Sequence, residues 1–203
     1  MQFYHDTVTQ QSFDLLQDLR RRYNFILIGG WGVWVWTNAL KSKDIDIAVD
    51  FKQLAKLKTD WPLTKNERLS KYEIKLPEID VDIYVSHYSN PGLPVERLVA
   101  YAVSQSGFTV ARPEALLVLK QHAYAERQGT PKGEKDKLDM LSLLMWSQFE
   151  MPLYKKIAAA SGRDLASALR TVLQSVVAAP ELGLNPHQYS RLKKHTLADL
   201  EAG

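Results

Sequence analysis

The sequence predicts an α/β (α+β) fold, in which a small mixed β-sheet is flanked by helices and followed by a helical C-terminal part. Two short segments have the composition of strands: FILI at residues 25–28 is aliphatic and ends at two glycines, and DIDIAVD at residues 44–50 alternates strictly. In the second half of the chain, apolar residues recur at helical spacing. We therefore expect a core over residues 1–112 and a helical part over residues 113–203, packed as one compact unit.

Length and composition restrict the class of protein. The 203 residues are enough for a substantial hydrophobic core. The chain has no cysteine, which excludes disulfides, thiolate zinc sites and a cysteine nucleophile. Its net charge of +3 allows an anionic partner such as a triphosphate or RNA without requiring one. The first residues, MQFYHDTVTQQ, are polar, and no apolar run approaches the roughly 20 residues of a membrane helix, so we expect a soluble, cytoplasmic protein.

The segment between the two predicted strands has conflicting signals. Residues 33–36 are β-branched or aromatic and favour a strand by propensity. Two neighbouring parallel strands, however, require a crossover, which is usually a helix. We therefore predict a helix over residues 31–40, with its N-terminus at Gly30, where backbone N–H groups can hold phosphate. Gly29 and Gly30 also let a ligand come close to the main chain.

A pair of carboxylates projects from the second predicted strand. Alternation in DIDIAVD places Asp44 and Asp46 on one face and the isoleucines on the other. Two adjacent carboxylates repel by about 1 kcal/mol at roughly 4 Å in water, and by more where the dielectric constant is lower, so a cation is expected between them. Paired oxygen ligands suit Mg²⁺ or Mn²⁺. The alternative is an edge strand whose acidic face is simply exposed to water.

The order of these motifs resembles the signature of the nucleotidyltransferase superfamily. That signature is a strand ending in Gly-Gly, a helical crossover, a Ser or Thr two residues before an acidic pair, and Asp-x-Asp on a strand. The matching residues here are Gly29, Gly30, Ser42, Asp44 and Asp46. Within the superfamily the sequence is most similar to the minimal bacterial and archaeal branch, which includes the AbiEii-type toxins of type IV toxin–antitoxin systems.

The resemblance implies a metal-dependent enzyme that transfers a nucleotidyl group from an NTP to a hydroxyl acceptor. Asp44 and Asp46 would hold two divalent ions, Mg²⁺ or Mn²⁺. The glycines, and Ser42 as a further candidate, would hold phosphate oxygens. The acceptor is left open among a tRNA 3′ end, a protein and a small molecule, and an antitoxin is a candidate partner.

The resemblance also implies a third carboxylate, within an apolar-Asp-apolar segment of a neighbouring strand. In IDVDIYVS at residues 79–86, Asp82 between two apolar residues matches this best. Asp80 lies on the same predicted face and remains an alternative. Such a carboxylate can complete the metal site and help to deprotonate the attacking hydroxyl. An exposed acidic strand face is the simpler explanation for this pair too.

Two helices in the second half extend the resemblance to the AbiEii-type branch. The first is predicted over residues 113–127 and the second over about residues 135–149. By analogy, Lys120 faces the triphosphate as a point charge, Arg127 and Lys135 assist it, and Asp136 or Asp139 orients these cations. The alternative is an exposed pair of helices with helix-spaced ion pairs. The matched residues are Leu116, Lys120, Arg127, Lys135, Asp136 and Asp139.

Two other classes of function also fit the sequence. The chain could be a non-catalytic nucleotide-binding module, because Leu40 stands where the AbiEii-type branch usually carries Arg. It could also be an RNA-binding module that uses its basic helices. RNA binding would weaken steeply with salt and would be insensitive to loss of Asp44.

Overall fold

The computed structural model describes residues 6–202 of the protein, which divide into two units. The first contains the described residues up to Arg112, and the second begins at Pro113. Residues 1–5, at the start of the polar N-terminal segment, lie outside the described residues, as does Gly203.

The first unit is built on a mixed sheet. Among the described residues, seven strands have the order β3-β4-β5-β2-β1-β7-β6. Strand β1 is parallel to β7 and β2 is parallel to β5, whereas the other neighbouring pairs are antiparallel. The strands are β1 (Ile26–Ile28), β2 (Ile45–Val49), β3 (Thr64–Asn66), β4 (Lys71–Lys75), β5 (Asp80–Val85), β6 (Ala102–Gln105) and β7 (Phe108–Ala111).

Helices accompany the sheet in the first unit and make up most of the second. The first unit contains α1 (Asp6–Arg22), α2 (Gly29–Thr37), α3 (Phe51–Asp60) and α4 (Val95–Leu98). The second contains α5 (Pro113–Arg127), α6 (Pro131–Leu144), α7 (Met151–Ala159), α8 (Leu165–Ser175) and α9 (Pro186–Glu201). The mixed sheet, its helices and the helical second unit confirm the predicted fold class. None of the described helices is both long and apolar enough to cross a lipid bilayer.

The core of the first unit lies on the apolar face of the sheet. Leu27, Ile47 and Ile83, from three adjacent strands, have no exposed surface. The alternation that buries these side chains turns the carboxylates of β2 and β5 to the opposite face. The position of the acidic face therefore follows from burial of the apolar one.

Helix α2 forms although the propensities of its residues favour a strand. Trp31, Val33 and Val35 are buried around it, so the helix is apolar on nearly every side. It starts at Gly29, two residues before the predicted start, and ends at Thr37, where Asn38 adopts a left-handed conformation with φ of 52°. Burial of these side chains outweighs the modest β propensity.

The direction of β2 corrects a sequence prediction. We expected β1 and β2 to be parallel, but they are antiparallel, with Ile28 opposite Asp46. Helix α2 has nine residues and is therefore about 13.5 Å long, at 1.5 Å per residue. The chain then returns through residues 38–44, so that β2 begins next to the last residue of β1. A helix with an irregular return segment can connect strands of either relative direction. The sequence therefore indicated the helix but not the pairing.

The segment after β5 contains a short helix followed by a strand. Helix α4 ends at Leu98 and continues as a 3₁₀ turn, and the next residues form β6, which the sequence analysis missed. Strands β6 and β7 are joined by Ser106 and Gly107, which both have positive φ. A two-residue turn of this kind is a hairpin signal, and Ser-Gly could have revealed the strand.

Candidate active site

Three carboxylates lie side by side on the polar face of the sheet. Asp46 of β2 is directly opposite Asp82 of β5, and Asp82 is directly opposite Glu73 of β4. Neighbouring strands are roughly 4.8 Å apart, so these residues form one continuous row. The structure brings together Asp46 and Asp82, which the sequence singled out, and adds Glu73, which it did not.

Asp82 is the central carboxylate of this row. Its side chain is 16% exposed, and its Oδ2 lies 2.5 Å from Lys71 Nζ. Its Oδ1 is buried and has no hydrogen-bond partner among the described residues. Burial and the nearby charge of Asp46 raise the pKa of Asp82 to about 6, although Lys71 acts in the opposite direction. Asp82 Oδ1 is therefore an acceptor that could bind a cation or a proton.

Lys71 is a site residue that the sequence analysis missed. It precedes Glu73 by two residues on β4, so both side chains lie on the polar face, and its Nζ is 3.0 Å from Glu73 Oε1. The alternating segment KYEIK could have indicated this pair. However, the antiparallel register of β4 and β5, which places it beside Asp82, arises only in the folded sheet.

Asp44 immediately precedes β2 and is held by the chain around it. Its Oδ1 accepts a hydrogen bond of 3.5 Å from the backbone N–H of Asp80. The Ser42 hydroxyl donates to the main-chain carbonyl of Asp44 at 3.1 Å, and Ser42 is only 7% exposed. Ser42 thus supports the turn that leads into β2, and its contact with phosphate remains a prediction.

Asp80 occupies a different position from Asp82. It lies opposite Lys75 in the sheet, and its Oδ2 is 3.1 Å from Lys75 Nζ. Both side chains of this ion pair are more than a third exposed. Asp82, and not Asp80, is in register with Asp46, and the choice of the third carboxylate of the site remains a prediction.

Gly29 connects the end of β1 to the carboxylate row. Its φ is +62°, in the left-handed region that glycine adopts without strain. A Cβ atom at this position would lie 2.0 Å from Asp46 Oδ2, so only glycine leaves room for the carboxylate. Helix α2 also starts here without a side-chain cap, so its first N–H groups, including that of Gly30, can serve as donors to an anion.

Replacement of Gly29 by alanine is expected to displace the Asp46 carboxylate and lower any activity of the site at least about tenfold. The new methyl group would overlap Asp46 Oδ2, and the left-handed backbone would add strain. Initial rates measured beside Gly162→Ala would test this. Gly162 has similar backbone geometry, with φ of +71°, but a Cβ there meets no atom within 4 Å. Equal rates for the two variants would contradict the prediction.

The second unit contains a separate cluster of charged residues between α5 and α6. Lys120 Nζ lies 2.8 Å from Asp136 Oδ1 and 2.6 Å from Asp139 Oδ2. Lys135 Nζ lies 3.0 Å from Asp139 Oδ2, and Arg127 Nε lies 2.5 Å from Asp136 Oδ2. The five charged residues among those that the sequence matched on these two helices are therefore linked in one network of ion pairs.

Four residues of this cluster are buried and Arg127 is partly exposed, so the cluster is not the exposed pair of helices with surface ion pairs that was the alternative. Lys120 is 6% exposed and Asp139 has no exposed surface. Although burial alone would lower the pKa of Lys120, the carboxylates of Asp139 and Asp136 raise it above its usual value. For Lys135, burial prevails and lowers the pKa although Asp139 opposes the shift. The predicted contact of this cluster with a triphosphate remains a prediction.

His122, on α5, is expected to make the stability of the protein depend on pH. Burial, with the nearby charge of Arg163, lowers the pKa of His122 despite an opposing effect of Glu126. The unfolded chain has the ordinary histidine pKa of about 6.5, so it binds more protons than the folded chain just below that pH. We therefore expect His122 to reduce the free energy of unfolding as the pH falls from about 6.5 towards the lowered pKa.

Urea denaturation of the wild type and of His122→Gln, followed by circular dichroism at about pH 7.5 and about pH 5, measures this contribution. The free energy of unfolding of the wild type should decrease more between the two pH values than that of the variant. Equal decreases would show that His122 does not contribute to the pH dependence.

The donor types on the polar face of the sheet fit a divalent cation. Carboxylate oxygens are the ligands that Mg²⁺ and Mn²⁺ prefer, and the buried Oδ1 of Asp82 has no hydrogen-bond partner among the described residues. Within residues 6–202, however, no three His, Asp or Glu side chains converge closely enough to hold a metal ion in this conformation.

The fold is similar to those of two solved proteins. One is a proposed nucleotidyltransferase from H. pylori, which is 15% identical, covers 98% of each chain and superimposes with a TM-score of 0.59. Another is JHP933 from Helicobacter pylori, at 13% identity over 97% of this chain and 94% of the other, with a TM-score of 0.53. No family model and no curated protein matches the sequence. The protein therefore has a nucleotidyltransferase-like fold.

Proposed function

We propose that the protein transfers a nucleotidyl group from an NTP to a hydroxyl acceptor. The observation that carries this proposal is the register of Asp46 with Asp82, beside the glycine turn at the start of α2. Carboxylates next to uncapped helix N–H groups can bind a metal ion and phosphate oxygens at the same place. The nucleotidyltransferase-like fold supports the same reaction.

Each residue of the first unit has a distinct role in this proposal. Asp44, Asp46 and Asp82 would hold Mg²⁺ or Mn²⁺. When bound, the metal would neutralise charge on the phosphoryl oxygens and favour ionisation of the attacking hydroxyl. The N–H groups at Gly29 and Gly30 would donate to phosphate oxygens. Gly29 also lets the carboxylate of Asp46 approach the start of α2.

The proposal also assigns roles to residues of the second unit. Lys120, with Arg127 and Lys135, would stabilise the β- and γ-phosphates of the NTP. Asp136 and Asp139 hold these cations in place through the ion pairs described above. Further proposals are AbiEii-type activity as a cytoplasmic toxin, an RNA or protein acceptor, and an antitoxin partner, all of which rest on the sequence resemblance.

Label transfer tests the reaction and identifies the class of acceptor. The purified protein would be incubated with each of four α-³²P-labelled NTPs and Mg²⁺, together with total tRNA or a cell lysate. Asp46→Asn would be run in parallel, and Asp14→Asn, in a carboxylate exposed on α1, would serve as the matched control. We expect a labelled RNA, protein or small molecule that is absent with Asp46→Asn and present with the control.

One observation favours a second candidate, a nucleotide-binding protein without transferase activity. Lys71 already provides a positive charge at Asp82, so the site has an internal cation next to one predicted metal ligand. This candidate predicts Mg²⁺-dependent stabilisation by NTP, measured as an increase in melting temperature, without any transfer of label. The absence of both signals would contradict both candidates.

A further inference from the structure

Lys71 forms buried ion pairs inside the candidate active site, and the proposed reaction gives Lys71 itself no role. Lys71 is 7% exposed, and its Nζ lies within 3.0 Å of both Asp82 Oδ2 and Glu73 Oε1. A lysine side chain with so little exposure loses much of its hydration, and nearby carboxylates compensate for that loss. Lys71 is therefore a buried component of this site and not a surface cation.

The position of the Lys71 ammonium is determined by a second layer of contacts. Glu73 Oε1 also accepts a hydrogen bond of 3.0 Å from Asn66 Nδ2, and Glu73 Oε2 lies 3.3 Å from Lys75 Nζ. Glu73 is held by Asn66 of β3 and by Lys75 of its own strand, so the position of its carboxylate is fixed. This arrangement directs the ammonium group towards Asp82.

The two oxygens of Asp82 are consequently different. Oδ2 is engaged with Lys71, whereas Oδ1 is buried without a hydrogen-bond partner among the described residues. An ammonium at hydrogen-bond distance from Oδ2 competes with any second cation for that atom and also repels it. Only Oδ1 can then serve as a ligand without displacing Lys71.

We infer that Lys71 is a positioning residue of the metal site: it holds Oδ2 of Asp82 as a resident cation, so that Asp82 presents Oδ1 alone to a divalent cation. This inference rests on the proposed function, because it takes the carboxylate row to be a metal site. It follows that Lys71 weakens metal binding while it fixes the orientation of Asp82.

Mn²⁺ binding measured by the electron paramagnetic resonance signal of free Mn²⁺ tests this without any activity assay. We expect Lys71→Met to lower the dissociation constant at least about fivefold, because Oδ2 is released and a repelling charge is removed. Lys71→Arg, which retains the charge, should bind as the wild type does. Lys75→Met is the matched control, since it removes the same charge from the same face of β4 without freeing Asp82, and its effect should be smaller.

The double variant Lys71→Met/Asp82→Asn tests whether the effect of Lys71 on Mn²⁺ affinity depends on Asp82. In this variant the gain in affinity should disappear. Thermal unfolding confirms that each variant is folded, and Lys71→Met still leaves Glu73 in contact with Asn66 and Lys75. Equal Mn²⁺ affinity of Lys71→Met and the wild type, an equal gain in Lys75→Met, or a gain that survives in the double variant would each overturn the inference.

Failure of the proposed function would produce a different pattern. If the wild type binds Mn²⁺ but Asp46→Asn binds it equally well, the metal lies elsewhere and the proposed active site is wrong. If neither the wild type nor Lys71→Met binds Mn²⁺, both the metal-dependent function and the role of Lys71 are overturned. Binding by Lys71→Met alone would support the inference, since the resident cation would then exclude the metal.

Discussion

Asp46→Asn is expected to lower the rate of nucleotidyl transfer at least about 100-fold, because metal-ion catalysis supplies several kcal/mol and about 1.4 kcal/mol corresponds to a factor of ten. Asparagine has nearly the same shape but lacks the negative charge that would hold the metal. Asp46 is in register with Asp82 and lies beside Gly29, at the start of α2. Initial rates of label transfer to the identified acceptor measure the loss, and circular dichroism establishes that the variant is folded.

Variants of Asp82 and Asp80 form a matched pair that tests the site assignment. Asp82→Asn should also lose at least about 100-fold in rate, whereas Asp80→Asn should lose less than about tenfold. The difference is expected because Asp80 forms a partly exposed ion pair with Lys75 and lies outside the row that contains Asp46. The reverse result, with Asp80 required and Asp82 dispensable, would make the assignment of the third carboxylate wrong.

Lys120→Met is expected to lower the free energy of unfolding by about 3–5 kcal/mol, the usual effect of removing one partner from a buried ion pair. Lys120 lies between Asp136 and Asp139, which are 1% and 0% exposed. Without its ammonium group, these carboxylates would lose their shared counter-ion in surroundings that hydrate them poorly. Urea denaturation followed by circular dichroism at 222 nm measures the change, since the second unit is largely helical.

Lys194→Met is the control for this prediction, because Lys194 is exposed on α9 and the substitution is the same. It should change the free energy of unfolding by less than about 0.5 kcal/mol. If Lys120→Met were equally mild, the cluster would not stabilise the second unit. The lysine would then be retained only for a role such as the proposed contact with phosphate.

Local sequence patterns predicted much of the first unit. Strict alternation in DIDIAVD and IDVDIYVS correctly placed apolar side chains on one face and carboxylates on the other, because side chains in a strand alternate whatever their neighbours are. Two glycines after an aliphatic strand indicated the tight turn at Gly29. The helix after it was also predicted, against the propensity of its residues.

The relations between strands could not be predicted in the same way. The direction of β2 depends on how the segment after α2 returns, and its length permits either direction. The importance of Lys71 and Glu73 depends on the register of β4 with β5, which no local pattern encodes. The choice between Asp80 and Asp82 was open for the same reason, because both lie on the same face of one strand.

The sequence by itself determined the fold class, the acidic face of the sheet, the glycine turn and the helical nature of the second unit, because these depend on residue periodicity and on backbone preferences at single positions. Only the tertiary structure decided which carboxylates are neighbours, that a lysine lies among them, and that the charges between α5 and α6 are buried. These properties depend on contacts between residues distant in the chain, and the desolvation that gives them their strength exists only once the chain has folded.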